Sequence, residues 1–330
     1  MHTLKWGVVG CGDIVRRRVA PALSSLPGCE IAAVARRNPE ALEECRDTLQ
    51  AERGFADWRA LMADDAIDAV YIATPVDHHC AQVLRALEHG KHVLCEKPLG
   101  MDAAECRRML AASRKGSAAL GVAYYRHYYP TVLRLKEIIA SGEIGDVMSM
   151  TLTACETFLP EARHPRRWIL DKSRAGGGSL MDFGCHRIEV LLHLLGHETA
   201  AGGVGGNVYA DHDVEDTATV AVRFQSGATG VVSVTRGGTL ERDIVCVQGT
   251  RGAVQVGNLN GGWLTVTGDA GTRQETLPCH ANPHLPLIEA FCRAIEEKRP
   301  PDVGAETGWR VQRIIDAVYR NTAFSDGDMP

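Results

Sequence analysis

The fold is decided by residues 4–15, which read LKWGVVGCGDIV. An apolar strand pattern runs directly into two glycines and then into a helix pattern. Gly10 permits a tight turn, and Gly12 lets backbone N–H groups and the positive end of the helix approach a pyrophosphate. Asp13 and Ile14 open the helix, and a valine stands where a third glycine is common. The stretch therefore predicts a dinucleotide-binding turn that includes these four residues.

The end of the second strand indicates which dinucleotide is preferred. An Asp or Glu about 20 residues beyond the glycines bonds the ribose 2′-hydroxyl of NAD, whereas an arginine there accommodates the 2′-phosphate of NADP. Here Arg36-Arg37-Asn38 follows the strand, and no acid is present. Two solvated arginines at a strand end are the structural alternative. We expect NADP as the preferred cofactor and NAD as the other possibility, with Arg36 or Arg37 binding the phosphate through its planar guanidinium.

The first 123 residues alternate strand and helix patterns with short connections. This order is typical of a doubly wound parallel sheet covered by helices on both faces. Each strand is a short, continuous apolar run, as expected when both faces of a sheet are buried. The predicted strands are Leu4 to Val9, Glu30 to Ala35, Ala69 to Ala73, His92 to Cys95 and Ala118 to Val122. The predicted helices are Ile14 to Leu26, Pro39 to Ala51, His79 to Glu88 and Ala103 to Lys115.

The pattern changes after residue 123. Alternating segments separated by Gly-containing turns indicate a mostly antiparallel sheet. We therefore predict two domains, residues 1–123 and 124–330. The later helices are expected at Pro130 to Ser141, Leu180 to Leu195, Leu285 to Glu297 and Glu306 to Asn321. The later strands are expected at Val147 to Thr157, Thr217 to Phe224, Ala228 to Thr235, Asp243 to Gln248, Ala253 to Val256 and Trp263 to Thr267.

Composition and charge exclude several classes of function. The chain has 330 residues, 45% of them hydrophobic, with 36 Lys and Arg against 41 Asp and Glu, a net charge of −5. Mild acidity without a basic cluster argues against nucleic-acid and acidic-membrane partners. No signal-peptide pattern opens the chain and no apolar run approaches the roughly 18 residues of a membrane span, so we expect a cytoplasmic protein. The 11 cysteines include no C-x-x-C pair, which favours buried free thiols over a zinc or redox site.

A lysine motif follows the predicted strand from His92 to Cys95. The strand ends in Glu96-Lys97-Pro98. Ligands of open α/β sheets bind at the carboxyl ends of the strands, so we expect Glu96 and Lys97 to face the cofactor crevice. Only 7 of the 36 cationic residues are lysines. Lysine is therefore not the default surface charge of this chain, and Lys97 is a candidate catalytic residue.

Four motifs together resemble the glucose-fructose oxidoreductase/inositol dehydrogenase/rhizopine-catabolism (Gfo/Idh/MocA) family. They are Gly10-Cys11-Gly12-Asp13-Ile14, then Thr74-Pro75 with His79, then Glu96-Lys97-Pro98, and finally Gly176-Gly177-Gly178 followed by Asp182 and His186. The resemblance implies a Rossmann domain, a C-terminal α/β domain with an open sheet, a homodimer or homotetramer, and oxidation or reduction of a sugar or polyol with a nicotinamide cofactor. It also implies that Thr74, Pro75 and His79 line the cofactor cleft.

The resemblance further implies that Lys97, Asp182 and His186 meet around the reacting carbon. Residues four apart on a helix share a face, so Asp182 can orient and tune the His186 ring as an acid/base. Which of Lys97 and His186 transfers the proton stays open. His186 and His193 are seven residues apart, about 10.5 Å along a helix, and Gly196 separates His193 from His197. We therefore expect no metal site.

The substrate residues are less sharply indicated. Tyr125 occupies the family's inter-domain stretch, and Arg167 with Trp168 suits the hydroxyls and apolar face of a sugar. An exposed loop without a ligand is the alternative for the last two. The leading hypothesis is an NAD(P)-dependent oxidoreductase of a sugar, inositol or related compound. The alternatives are a non-catalytic dinucleotide sensor, or the same chemistry on an aromatic trans-dihydrodiol or a nucleotide sugar.

Overall fold

The chain forms two compact units, each with its own sheet. The computed structural model describes residues 3–209, 212–320 and 324–325. The first unit comprises residues 1–125 and 282–310, and the second comprises residues 126–281 and 311–330. The sequence prediction divided the chain once, between residues 123 and 124, whereas this division returns residues 282–310 to the first unit.

The first unit contains a six-stranded, fully parallel sheet in the order β3-β2-β1-β4-β5-β6. Its strands are β1 Leu4–Val9, β2 Cys29–Ala35, β3 Arg53–Phe55, β4 Ala69–Ile72, β5 His92–Cys95 and β6 Leu120–Val122. Its helices include α1 Ala20–Ser25, α2 Pro39–Leu49, α3 Trp58–Met62, α4 His79–Glu88 and α5 Ala103–Ser113. The apolar runs of β1, β4 and β5 are buried, as a sheet covered on both faces requires. The predicted doubly wound parallel sheet is confirmed.

Helix α9, Leu285–Glu296, joins this unit through contacts with its sheet. The ring centroids of Phe291 and Trp6 lie 5.9 Å apart. The Asn282 side chain donates a hydrogen bond to the Arg18 carbonyl at 2.7 Å, and the Val122 amide donates to the Val303 carbonyl at 2.9 Å. These contacts explain why residues from late in the chain complete the first core.

The second unit is built on a nine-stranded sheet in the order β14-β13-β12-β11-β7-β10-β9-β8-β15. Its strands are β7 Val147–Glu156, β8 Glu198–Gly206, β9 Thr217–Phe224, β10 Thr229–Arg236, β11 Arg242–Gly249, β12 Ala253–Asn258, β13 Trp263–Gly268, β14 Gly271–Thr276 and β15 Phe324–Ser325. The β7–β10 pair is parallel and the other pairs are antiparallel. The predicted mostly antiparallel sheet is therefore confirmed.

The helices of this unit include α6 Pro130–Ala140, α7 Lys172–Ala175 and α8 Cys185–Leu195, and α10 Ala305–Tyr319 begins in the first unit and ends in the second. Helix α8 packs against β7 and β10, and α6 packs against α8. Through the middle of the central strands, buried residues alternate with exposed or half-buried ones. Their outward positions form the open sheet face, which is uncharged at its centre and carries Thr151, Thr153, Ala221, Val231, Ser233, Ile244 and Cys246. Among the described residues, no helix combines the length and apolarity that crossing a bilayer demands.

Candidate active site

The glycine turn lies at the carboxyl end of β1. Gly10 has φ +86°, and a Cβ atom there would lie 2.7 Å from the Ala73 carbonyl oxygen, so this position requires glycine for both conformation and space. At Gly12, by contrast, a Cβ would meet no described atom within 4 Å beyond its own neighbours. The protein's own packing therefore does not require glycine at position 12. Open space beside a backbone that starts a helix fits the close approach of a dinucleotide phosphate.

The residues after this turn begin a helix with a π-helical segment, Val15–Val19. The exposed Asp13 carboxylate lies 2.9 Å from Nε of Arg17, one turn later, and Ile14 is half-buried. Asp13 therefore forms an ion pair within its own helix. Its contact with a cofactor remains a prediction.

The two arginines after β2 have different surroundings. Arg36 is half-buried, and its Nη1 donates to the Cys11 carbonyl at 3.3 Å and contacts Cys45 Sγ at 3.4 Å. Arg37 is exposed. The side chain of Asn38 accepts a hydrogen bond from the Ala41 amide at 2.8 Å and caps α2. The structure therefore brings Arg36 to the glycine turn and leaves Arg37 at the surface of the same edge.

The residues after β4 link two neighbouring loops. Thr74 Oγ1 donates to Gln82 Oε1 at 2.7 Å, and the Thr74-Pro75 segment is half-buried. The buried ring of His79 lies between two carbonyls, with Nδ1 2.9 Å from Pro98 O and Nε2 2.9 Å from Thr74 O. Burial, the larger effect, lowers the pKa of His79 although both carbonyls favour the charged ring. Each ring nitrogen lies within hydrogen-bond distance of a backbone carbonyl, so His79 links the Thr74 and Pro98 loops, and its place in a cofactor cleft remains a prediction.

Glu96 is the buried anchor of the lysine motif after β5. Its Oε1 accepts a hydrogen bond from the Tyr71 hydroxyl at 2.8 Å and lies 3.6 Å from Nε2 of His284. Oε2 accepts a hydrogen bond from the Lys97 amide at 3.2 Å. Burial acts to raise the pKa of Glu96, but His284, Lys97 and Tyr71 together outweigh it and the pKa is lowered. Glu96 is therefore ionised at neutral pH and fixes the backbone at Lys97, which the cis peptide bond to Pro98 follows.

His284 is a site residue that the sequence did not reveal. It is 1% exposed, and the centroid of its ring lies 4.6 Å from that of Tyr125. The predicted substrate residue Tyr125 thus stacks on the histidine that faces Glu96. His284 stands alone before α9 in the sequence, without a spacing that links it to the lysine motif.

In the second unit, Asp182 and His186 lie at the start of the long apolar helix. The helix begins with a π-helical segment, Leu180–Gly184, and continues as α8. The Asp182 carboxylate accepts a hydrogen bond from Nη2 of Arg236 at 2.6 Å and lies 3.6 Å from Nη2 of Arg166. His186 is 1% exposed. Two arginines therefore hold the Asp182 carboxylate, and its expected orienting role toward His186 remains a prediction.

Arg236 was also missed by the sequence prediction, although a signal was present. In β10 the buried positions are Val232, Val234 and Arg236, so the arginine continues the inward-facing alternation. It is 1% exposed, and its guanidinium lies 5.3 Å from the centroid of the Phe183 ring. A buried charge requires a partner, which here is Asp182.

A buried ion pair anchors α8 beneath these residues. Nε and Nη2 of Arg187 donate to the two carboxylate oxygens of Asp243 at 3.1 and 2.7 Å, and its Nη1 donates to the Phe183 carbonyl at 2.9 Å. The bidentate geometry fixes the rotation of the helix next to His186.

The glycine run before this helix has a packing cause. Gly176 has φ +78° and ends α7. A Cβ at Gly177 would lie 1.9 Å from the Tyr319 hydroxyl, and one at Gly178 would lie 1.9 Å from the Glu215 carbonyl oxygen. The Glu215 carboxylate accepts hydrogen bonds from the amides of Gly178 and Leu180 at 2.8 Å each. The run therefore lets the Glu215 segment hold the start of the helix that carries Asp182.

The two remaining substrate candidates belong to a loop with its own core. Nη1 of Arg167 donates to the Pro160 carbonyl at 2.7 Å. The half-buried Trp168 packs against Ile169, Leu170 and Val214. Both side chains therefore contribute to the fold of this loop, and their contact with a substrate remains a prediction.

The chain is similar in sequence and fold to known oxidoreductases. The model of an oxidoreductase family with an NAD-binding Rossmann fold matches residues 4–124, and that of the GFO/IDH/MocA C-terminal domain matches residues 132–255. D-xylose 1-dehydrogenase (NADP(+)) 2 of Haloferax volcanii is 31% identical over 96% of this chain and 97% of that protein. Trans-1,2-dihydrobenzene-1,2-diol dehydrogenase of Mus musculus is 30% identical over 78% of this chain and 75% of that protein. A solved structure of levoglucosan dehydrogenase in complex with NADH has a TM-score of 0.91 and 25% identity, over 98% of each chain.

Proposed function

The chain belongs to the Gfo/Idh/MocA oxidoreductase family, and from this premise we propose that it interconverts a secondary hydroxyl and a ketone on a sugar, inositol or related polyol. The observation that carries the proposal is the lysine motif. A buried, ionised Glu96 fixes the backbone of Lys97 at the carboxyl end of β5, on the sheet edge that also carries the glycine turn. A non-catalytic sensor has no need of a lysine held in this way.

A bound nicotinamide dinucleotide supplies the hydride acceptor or donor for this reaction. Gly12 offers its phosphate open space and helical N–H groups, and Arg36 and Arg37 offer cations beyond β2. We favour NADP because no carboxylate stands at the end of β2 to bind a free ribose 2′-hydroxyl. The Haloferax volcanii relative is named as an NADP(+) enzyme, which supports this choice. The levoglucosan dehydrogenase structure, in contrast, contains NADH.

Proton transfer falls to Lys97 and His186. For oxidation, the His186 imidazole accepts the hydroxyl proton of the substrate, and the Lys97 ammonium donates a hydrogen bond to the same oxygen as negative charge develops there. For reduction, the proton moves the other way. Arg236 holds Asp182, four residues before His186, in a fixed orientation by a charge-assisted hydrogen bond.

The test is turnover followed by absorbance at 340 nm. Wild-type protein is offered NAD or NADP with a panel of aldoses, inositols, anhydro-sugars and aromatic trans-dihydrodiols. We expect Lys97→Met and His186→Ala each to lower kcat by at least about 100-fold, as loss of positioned acid/base help should. Lys115→Met and His280→Ala, at exposed positions, are the matched controls.

Three outcomes separate the readings. Near-normal turnover in both catalytic variants would overturn their assignment. Dinucleotide binding without turnover across the panel would favour the sensor. Turnover confined to the trans-dihydrodiols would favour the second candidate substrate class, which the Mus musculus relative supports.

We also propose that the open sheet face binds a second copy of this chain. The face is broad, uncharged at its centre and made of small and β-branched side chains, and such surfaces on a sheet are commonly covered. Closed symmetric dimers are the commonest form of soluble oligomer, and a tetramer would add a second interface.

A further inference from the structure

Three side chains on the second unit converge below the surface, outside the residues assigned to hydride transfer. Glu189 and His193 lie one turn apart on α8, so they share a face of the helix. His127 comes from the 3₁₀ turn Tyr125–Tyr128. One imidazole nitrogen from each histidine and one carboxylate oxygen all lie within 4.8 Å of one another.

The polar atoms of this cluster are incompletely satisfied by the protein. Nδ1 of His127 lies 2.7 Å from Oε1 of Glu189, and the ring centroids of His127 and His193 lie 3.7 Å apart. Within the described part of the chain, the buried Oε2 of Glu189 and the buried Nε2 of His193 have no hydrogen-bond partner. Glu189 is 1% exposed. Unpartnered buried polar atoms destabilise a fold, so their convergence requires an explanation.

One lysine lies beside the cluster. Lys136 Nζ lies 3.4 Å from Nδ1 of His193. Lys136 is exposed, so its long side chain can turn away into solvent when a cation binds.

We propose that His127, Glu189 and His193 bind one divalent transition-metal ion, for which Zn²⁺ is the best match. Two imidazoles and one carboxylate form a donor set that zinc uses, and this set leaves one position of a tetrahedron for water. At metal–ligand distances near 2.1 Å, tetrahedral ligands lie about 3.4 Å apart, so the side chains need to move together by roughly 1 Å. The ion would give the second carboxylate oxygen or the orphaned ring nitrogen the partner that the protein does not provide.

The sequence could not reveal this site. The histidine pairs considered along the helix, His186 with His193 and His193 with His197, do not form it. Glu189 lies between them, and the third ligand, His127, comes from a distant turn that only the fold brings to α8. The expectation of no metal site rested only on the spacing of histidines along one helix.

A bound ion would have a mechanical consequence within the second unit. It would join the turn of His127 to the helix that begins at Cys185 and carries His186. The role is structural, since it needs no contact with substrate and is independent of the proposed hydride transfer.

The test is metal binding by the full chain. Protein stripped with a chelator is dialysed against Zn²⁺, its metal content is measured, and Zn²⁺ is titrated by calorimetry. We expect one equivalent for the wild type, and an affinity at least about 100-fold lower for Glu189→Gln and His193→Phe, which remove one ligand while keeping side-chain volume. His197→Phe, an exposed histidine one turn further on, is the matched control and is expected to retain the ion.

A spectroscopic measurement keeps the test decisive if a variant does not fold. Co²⁺ bound to the wild type at the same site is expected to give the intense visible absorption of a four-coordinate ion, and Zn²⁺ is expected to displace it. Binding that is unchanged in both variants would overturn the proposal. So would a wild type that neither retains Zn²⁺ nor develops the Co²⁺ absorption, and the cluster would then be a hydrogen-bonded element of the core.

Discussion

The two arginines after β2 are neighbours in the chain but have different surroundings. Arg36 donates a guanidinium N–H to the Cys11 carbonyl of the glycine turn. Arg37 lies exposed at the same strand end. We therefore expect Arg37 to make the stronger contact with a 2′-phosphate, and Arg36 to hold the turn and add its charge.

Replacing these arginines is expected to change the cofactor preference from NADP to NAD. Arg36→Asp with Arg37→Ala removes two cations and supplies a carboxylate for a ribose 2′-hydroxyl. The Kd for NADP should rise about 10- to 100-fold, the value of one or two hydrogen bonds to a charged group, while the Kd for NAD falls. Titrations of the variant and of Arg59→Ala, an exposed control, measure both constants. A wild type that binds NAD more tightly than NADP would contradict the arginine argument.

At the scale of residues, the sequence predicts the motif positions better than their partners. Lys97 and Glu96 could be located because strand, charge and proline stand side by side in the chain. His284 could not be located, and Arg236 was indicated only by the alternation of its strand, since each becomes a site residue through a contact with a distant segment. His79 was assigned to the cofactor cleft by its motif, and the sequence did not indicate that its ring lies between two backbone carbonyls.

At the scale of elements, both motif helices begin with a π-helical segment that follows glycines. Such segments widen one turn of a helix and occur frequently at functional sites. The two glycine motifs differ in cause, however. Gly178 packs against protein, and Gly12 faces open space.

This difference predicts opposite effects of the same substitution. Gly178→Ala should destabilise the protein by about 1–3 kcal/mol, because the new methyl group meets the Glu215 backbone. Gly12→Ala should leave the melting temperature unchanged but raise the Kd for dinucleotide about 10-fold or more, the cost of one phosphate hydrogen bond. Thermal unfolding and dinucleotide titration of both variants check this pair. An unstable Gly12→Ala protein would show that the glycine serves packing after all.

The elements themselves were predicted closely where the apolar pattern is continuous. The bounds of β1, β5, β9 and α4 agree with the expected segments. Strand β8 was missed because four of its nine residues are glycines, which disfavour strands intrinsically. It forms through its register with β9, where a Cβ at Gly203 would lie 2.2 Å from the Thr219 carbonyl oxygen. Strand β8 therefore forms because of its pairing across the sheet, which a local sequence pattern does not show.

At the scale of the whole molecule, the open sheet face predicts an assembly. Val231→Glu places a charge at the centre of this face and should convert the oligomer into a 35.7 kDa monomer, because an unpaired charge cannot be buried in an interface. Light scattering after size exclusion measures the mass. Val208→Glu, the same change at an 80% exposed valine outside the sheet, is the control. A wild type that is already monomeric at micromolar concentration would contradict the proposed dimer.

The fold class was accessible from the sequence because each unit repeats one local pattern many times. The division of the chain into its two units was harder to predict from the sequence. Helix α9 has the amphipathic pattern of any surface helix, and only its contacts with Trp6 and with the strand at Gly121 assign it to the parallel sheet.

The return of residues 282–310 to the first core has a consequence for how such a chain can be inherited. A gene fragment ending at residue 125 would encode the glycine turn and the lysine motif but not Phe291, Asn282 or Val303, so Trp6 and the backbone of Val122 would lose their partners. A single crossover between two genes could not transfer this unit intact, since the chain passes between the units at three junctions, after residues 125, 281 and 310. Recombination would therefore tend to pass the two units on as one module, and new specificities would arise by substitution more readily than by shuffling.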